Sequence, residues 1–242
     1  MLVNGRIPST SLVRLSTPGR LTKAAAASYE RLNKEAGMTH GTSLALQAYR
    51  SLADQEKVFF THYDRHYRSG RTIANGGKKY YEGAWWYRKE GHPVAAVPGT
   101  SNHGLGIAVD WDGLDGYGSV DFNTFARLAK KHGWSNTEGA KIREYWHWVY
   151  NRNNDTVLAA LIAAAARKAA ARLSLKKIQG YLGVPKTGLP DVATLAAWSK
   201  CPSGKPVVST MAKIQVVLHV DNDGIKGKIT KAAFSKLCAT AK

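Results

Sequence analysis

Ser101-Asn-His-Gly-Leu-Gly-Ile-Ala-Val-Asp110 reads as a glycine-containing loop that runs into a strand. Over residues 106–111 the side chains alternate. Ala108, Asp110 and Asp112 share one face, and Ile107, Val109 and Trp111 share the other. Further on, Glu144-Tyr-Trp-His147-Trp-Val-Tyr150 predicts a second strand over 145–150, with Trp146, Trp148 and Tyr150 on one side and His147 opposite. His103, Asp110 and His147 are two imidazoles and a carboxylate, the donor set of a catalytic zinc that keeps a fourth position for water. Glu144 is then free to act as a base. A lone histidine is more often structural than a ligand. Such a set, scattered over 45 residues, also arises by chance, so spacing alone leaves the zinc reading open beside that one. His40, His62, His66, His92, His132 and His219 have no comparable context.

Around these two segments the expected fold class is α+β: a small antiparallel sheet with flanking helices, followed by a small all-α C-terminal domain. Helices are predicted over 22–36, 51–63 and 121–132, the last stopped by Gly133. Residues 42–48 alternate weakly and predict a short strand. Residues 64–100, rich in Tyr, Trp, Gly, Lys and Arg without a clear period, predict a long irregular insertion, and loops of that length are usually functional. Residues 151–155 read as a polar break with Asp155 as a helix N-cap, and the alanine-dominated stretch 156–172 as a helix. The expected domains are 1–154, a helical linker 155–172, and 173–242.

The last of these holds an internal repeat with an offset of 36. Lys177-Ile-Gln179 matches Lys213-Ile-Gln215, Gly188 matches Gly224, Thr194 matches Thr230, and Trp198-Ser-Lys200 matches Phe234-Ser-Lys236. Each unit reads helix, turn, helix, and one alone is too small to bury its apolar face.

The formal charge is +18, split as 21 basic against 13 acidic residues in 1–154 and 14 against 4 in 155–242. That balance points to a polyanionic partner. No helix-turn-helix, finger or RNA-binding signature supports nucleic acid, which leaves an anionic cell surface. No apolar run suggests a signal peptide or a membrane span, so the expectation is a monomer made in a host cytoplasm, without membrane insertion. The two cysteines, Cys201 and Cys238, exclude a disulfide framework. Residues 1–154 contain none, which excludes a thiol nucleophile there.

Ser101-x-His103-x-x-Gly106-x-Ala108-x-Asp110 with Glu144-x-x-His147 resembles the M15 family of zinc peptidases. The resemblance extends to Tyr49-Arg50-Ser51 with Gln55, to Pro98-Gly-Thr-Ser101 and to Gly133-Trp134, and so covers roughly residues 40–150. It implies zinc on His103, Asp110 and His147, Glu144 as general base, and Arg50 holding a substrate carboxylate or the developing oxyanion. Residues 61–92 depart from it by being enlarged, basic and aromatic. The C-terminal repeats resemble peptidoglycan-binding domain 1 through their Ile-Gln helices and Asp223-Gly-Ile-Lys-Gly227; the first unit has Thr187-Gly188 in place of Asp-Gly. Together the two resemblances imply a phage endolysin that hydrolyses peptidoglycan stem peptides, with L-alanyl-D-glutamate endopeptidase action expected first. The alternatives are a D-alanyl-D-alanine carboxypeptidase or a non-catalytic basic protein that binds cell wall or nucleic acid. The implied partners are peptidoglycan and its anionic wall polymers.

Overall fold

Leu12–Arg14 (β1) and Arg20–Thr22 (β2) pair as an antiparallel hairpin, and Thr22 leads into helix α1 (Lys23–Ala36). Ala25, Tyr29 and Leu32 recur at helical spacing on its buried face, and Gly37 ends it in the left-handed region at φ 63°. This computed structural model describes residues 3–37, 41–66, 76–201, 210–221, 223 and 225–242. Met1, Leu2, His40, residues 67–75 of the insertion and Gly224 of the second repeat lie outside the described residues. The chain divides into two compact units, Met1–Leu158 and Ala159–Lys242.

Helix α2 (Leu52–His62) is capped by Ser51, whose hydroxyl accepts from the Asp54 N–H. Two expectations near it are corrected. Residues 42–48 form no strand: Ala45–Gln47 is a 3-10 turn. The Gln47 side-chain carbonyl takes the backbone N–H groups of Ser43 and Leu44, which a strand would have given to a neighbour. Nor is the insertion irregular throughout. Tyr63–Asp64 (β3), Lys78–Tyr81 (β4) and Ala84–Arg88 (β5) form an antiparallel sheet in the order β3-β5-β4. Its hairpin turns on Glu82 and Gly83, both at positive φ (48° and 71°), as a two-residue loop requires.

A third sheet takes up the two segments that carry Asp110 and His147. Ala108–Asp110 (β6) follows a 3-10 turn at Asn102–Leu105. Then come helix α3 (Val120–Lys131), β7 (His132–Ser135), helix α4 (Thr137–Ile142) and β8 (His147–Asp155). The order is β6-β8-β7, all antiparallel. Val109, Trp111, Phe125, Trp134, Trp148 and Tyr150 meet Leu21, Tyr29 and Leu32 in one core, where each large side chain contributes roughly 1.5–3 kcal/mol relative to exposure. The α+β class with a small antiparallel sheet and flanking helices is thus observed.

The second strand differs from expectation at both ends. It starts at His147, so Trp146 stands in the preceding turn and only Trp148 and Tyr150 enter the core. It continues through the polar residues 151–155, because β7 supplies partners out to His132↔Asp155 across a bulge. Asp155 also caps the next helix, accepting from the Leu158 N–H at 2.8 Å.

Helix α5 (Thr156–Leu182) runs unbroken through residue 172. After it come α6 (Val192–Lys200), α7 (Thr210–Leu218) and α8 (Lys228–Ala241). The repeat is visible atom by atom. Gln179 Nε2 lies 2.9, 2.9 and 2.7 Å from Thr187 Oγ1, Leu189 O and Thr194 Oγ1. Gln215 Nε2 lies 2.7, 2.9 and 3.1 Å from Asp223 Oδ1, Ile225 O and Thr230 Oγ1. Gly183 and His219, again 36 apart, both adopt positive φ (70° and 57°). Leu175 and Ile178 meet Met211 and Ile214 in the core of this unit, where Cys201 and Cys238 are also buried.

Candidate metal and catalytic centre

Asp110 and His147 are directly opposite one another across β6 and β8. The ladder bonds Trp111 N–H to Trp146 O and Tyr150 N–H to Ile107 O fall one and three pairs away, and hydrogen-bonded and non-hydrogen-bonded pairs alternate along the ladder. The Asp110–His147 pair is therefore the closer, non-hydrogen-bonded kind. His103 comes from the 3-10 turn before β6, where Ser101 Oγ accepts from the His103 N–H. The turn closes on Gly106 at φ 64°. His103 Nδ1 donates to Ala48 O at 2.8 Å, which points Nε2 toward the other two residues.

The three donor atoms converge. His103 Nε2 lies 3.1 Å from His147 Nδ1 and 3.2 Å from Asp110 Oδ1, and His147 Nδ1 lies 3.0 Å from the same oxygen. Tetrahedral zinc with bonds of about 2.0–2.1 Å separates its ligands by about 3.3 Å, so the triangle is close to the size required. With the Nδ1 proton of His103 committed to Ala48 O, its Nε2 presents a lone pair. His147 Nε2 faces Glu138 Oε2 at 3.4 Å on the side away from the triad, so Nδ1 is the ring nitrogen turned toward the other two residues. In the metal-free protein a proton on His147 bridges it to Asp110, and a metal ion held by the same three atoms would take that proton's place. His103, Asp110 and His147 are the cluster of metal-binding geometry found among the described residues.

Glu144 shares with this triad a cavity of about 470 Å³, bordered also by Arg50, His62, Glu138 and Trp146. Burial, and then the charge of Asp110, push the Glu144 carboxyl above its ordinary 4.5, against the opposing pull of His147 and Arg50. Burial likewise pulls His103 down. In His147 burial is outweighed by hydrogen bonds to Asp110 and Glu138, which raise it to about 9 in the metal-free protein. Burial alone would raise Asp110, but His103, His147 and Arg50 together hold it well below the usual carboxylate range. Arg50 bonds the outer oxygen of Asp110 through Nη2, leaving Oδ1 to the histidines, and Nε donates to Leu46 O at 2.5 Å. In the structure Arg50 therefore touches the carboxylate of the triad directly and borders the cavity as well.

Sequence reasoning missed the α4 contribution. Glu138 sits behind His147 and accepts from Asn102 Nδ2 at 2.5 Å. Asn136 Nδ2 lies 2.9 Å from Glu144 O and 2.7 Å from His147 O, pinning the turn between Glu144 and His147. Gly139 lets that turn pass: a Cβ there would collide with Glu144 O and lie 2.7 Å from His147 O.

A buried imidazole–carboxylate triad beside an elevated glutamate is the constellation of a zinc hydrolase. The family profile VanY, D-alanyl-D-alanine carboxypeptidase, matches residues 19–153. The chain belongs to that family, within the M15 zinc peptidases, and is a zinc metallopeptidase acting on peptidoglycan. Among solved structures it is similar to VanYB in complex with D-alanyl-D-alanine. The identity is 22% and the TM-score 0.40, over 67% of this chain and 90% of that one. It is also similar to a point mutant of the vancomycin-resistance D,D-pentapeptidase VanY from a VanB-type resistance cassette, in complex with Zn(II). Here the identity is again 22% and the TM-score 0.35, over 62% of this chain and 86% of that one. No curated protein sequence matches the chain.

Proposed function

We propose that this chain removes the terminal D-alanine from peptidoglycan stem peptides, as a D-alanyl-D-alanine carboxypeptidase. The observation that carries the proposal is the single cavity in which the triad, Glu144 and Arg50 meet, in a chain of this family. Zinc held by His103, Asp110 and His147 would supply Lewis acidity toward the scissile carbonyl and acidify a water at its open position. Glu144 takes the proton of the attacking water as its oxygen adds to the carbonyl carbon. When the C–N bond breaks, Glu144 returns the proton to the leaving amine. Arg50 is the one Arg or Lys among the described residues that border the cavity. It serves as the cation for a substrate carboxylate or for the oxyanion while steadying Asp110.

Glu144→Gln is expected to keep its fold and its zinc but lose turnover by at least ~10²-fold. Circular dichroism, metal analysis and a D-alanine release assay check this; unimpaired turnover would remove Glu144 from the role.

A second reading is favoured by the basic two-repeat unit, whose resemblance to peptidoglycan-binding domains suits an enzyme that works on assembled wall. In it the chain is a phage endolysin, 173–242 is its wall-binding domain, and the bond cut is L-alanyl-D-glutamate. Mass spectrometry of digested sacculi separates the two. Free D-alanine alone supports the first reading, and released stem peptides with a new N-terminal glutamate support the second.

A further inference from the structure

The β4–β5 hairpin is aromatic on both faces, and only one of them is used by the fold. Register places Lys79, Tyr81, Ala84 and Trp86 on one side and Lys78, Tyr80, Trp85 and Tyr87 on the other. The first side is covered: Tyr81 and Trp86 pack on Phe59 and Phe60 of α2, with ring centroids 4.9–6.3 Å apart. On the second side Tyr80 and Trp85 are directly opposite one another, edge to face at 5.2 Å, and are 56% and 49% exposed. The Lys78 ammonium lies 3.8 Å from the centroid of the Trp85 ring. The hairpin already has an apolar anchor on its covered side, so this exposed pair is not needed to hold it.

Helix α2 joins the hairpin to the catalytic cavity. Phe59 and Phe60 back the hairpin, while Gln55, Val58 and His62 border the cavity, as do residues 93–96 just after β5. We propose that the Lys78–Tyr80–Trp85 face binds sugar rings of the glycan strand from which the stem peptides branch. The proposal rests on the peptidoglycan substrate above. Pyranose rings present flat arrays of weakly positive C–H groups that complement the negative faces of indole and phenol, while their hydroxyls suit the tips of Tyr80 and Lys78. In peptidoglycan the glycan is covalently continuous with the peptide, so a stem seated in the cavity keeps sugars within its own length of that site. The basic side chains beside the aromatics suit the carboxylates of that polymer.

The test uses the full chain with Tyr80→Ala/Trp85→Ala, and Trp85→Phe as the conservative variant. Wild type should bind soluble glycan strands stripped of peptide, measured by calorimetry. The double variant should bind about tenfold or more weakly, and Trp85→Phe should retain most of the affinity. Turnover of a soluble stem pentapeptide without sugar should stay within about twofold of wild type, whereas turnover of glycan-linked stems falls. Equal losses on both substrates, undiminished glycan binding by the double variant, or an oligothymidylate binding this face in place of glycan would overturn the proposal. Glycan binding needs no turnover, so it is read separately from any failure of the peptidase reading.

Discussion

Glu138 shows how much of a metal site lies outside its ligands. Its carboxylate faces the ring nitrogen of His147 turned away from the triad, the position from which a second group fixes an imidazole's tautomer and orientation. Glu138→Ala is expected to weaken zinc binding by about 10–100-fold while leaving the secondary structure intact, as measured by competition with a chromogenic chelator. Glu144 sets the pH response. Its carboxyl is raised by burial in the metal-free protein, and the proposed proton transfer needs it ionised. Zinc held beside it would oppose that rise, so in the loaded enzyme activity falls as pH drops through the resulting balance, and kcat/KM has an acid limb set by Glu144. Glu144→Gln should abolish that limb along with most of the rate. The two short segments make His103, Asp110, Glu144 and His147 legible in the sequence. Glu138 and Asn136 are not legible, because lone polar residues in and just before a six-residue helix have no spacing that separates them from solvated surface.

At the level of elements, the difference between sequence and structure follows from who supplies the hydrogen bonds. Residues 42–48 alternate like a strand, but one side-chain amide, Gln47, satisfies the local N–H groups. The hairpin at 78–88 has the opposite history. With aromatic residues on both faces it shows no two-residue period, and the Glu82-Gly83 turn is its main sequence signal. The C-terminal repeat is legible because each glutamine recruits its own turn, so a 36-residue offset in sequence becomes the same set of bonds in space. Asp155 joins strand to helix: Arg31 reaches it at 2.6 Å, the Tyr150 hydroxyl at 3.0 Å, and it caps α5. Asp155→Ala leaves a largely buried arginine without its partner and should cost about 3–5 kcal/mol, seen as a lowered urea midpoint for the first unit.

For the molecule as a whole, no helix among the described residues is long and apolar enough to cross a membrane. Chelation should abolish peptidase activity and lower the melting temperature of the first unit, and stoichiometric zinc should restore both, because a ligand that binds only the folded state stabilises it by mass action. Calorimetry with and without chelator measures this, and an unchanged melting temperature would deny zinc a structural share. The cross-strand pairing of Asp110 with His147 has a further consequence. A slip of one residue between β6 and β8 would send one of the two ligands to the opposite face of the sheet. Metal affinity thus reports strand alignment, and zinc uptake during refolding marks the moment at which the central sheet has found its correct pairing.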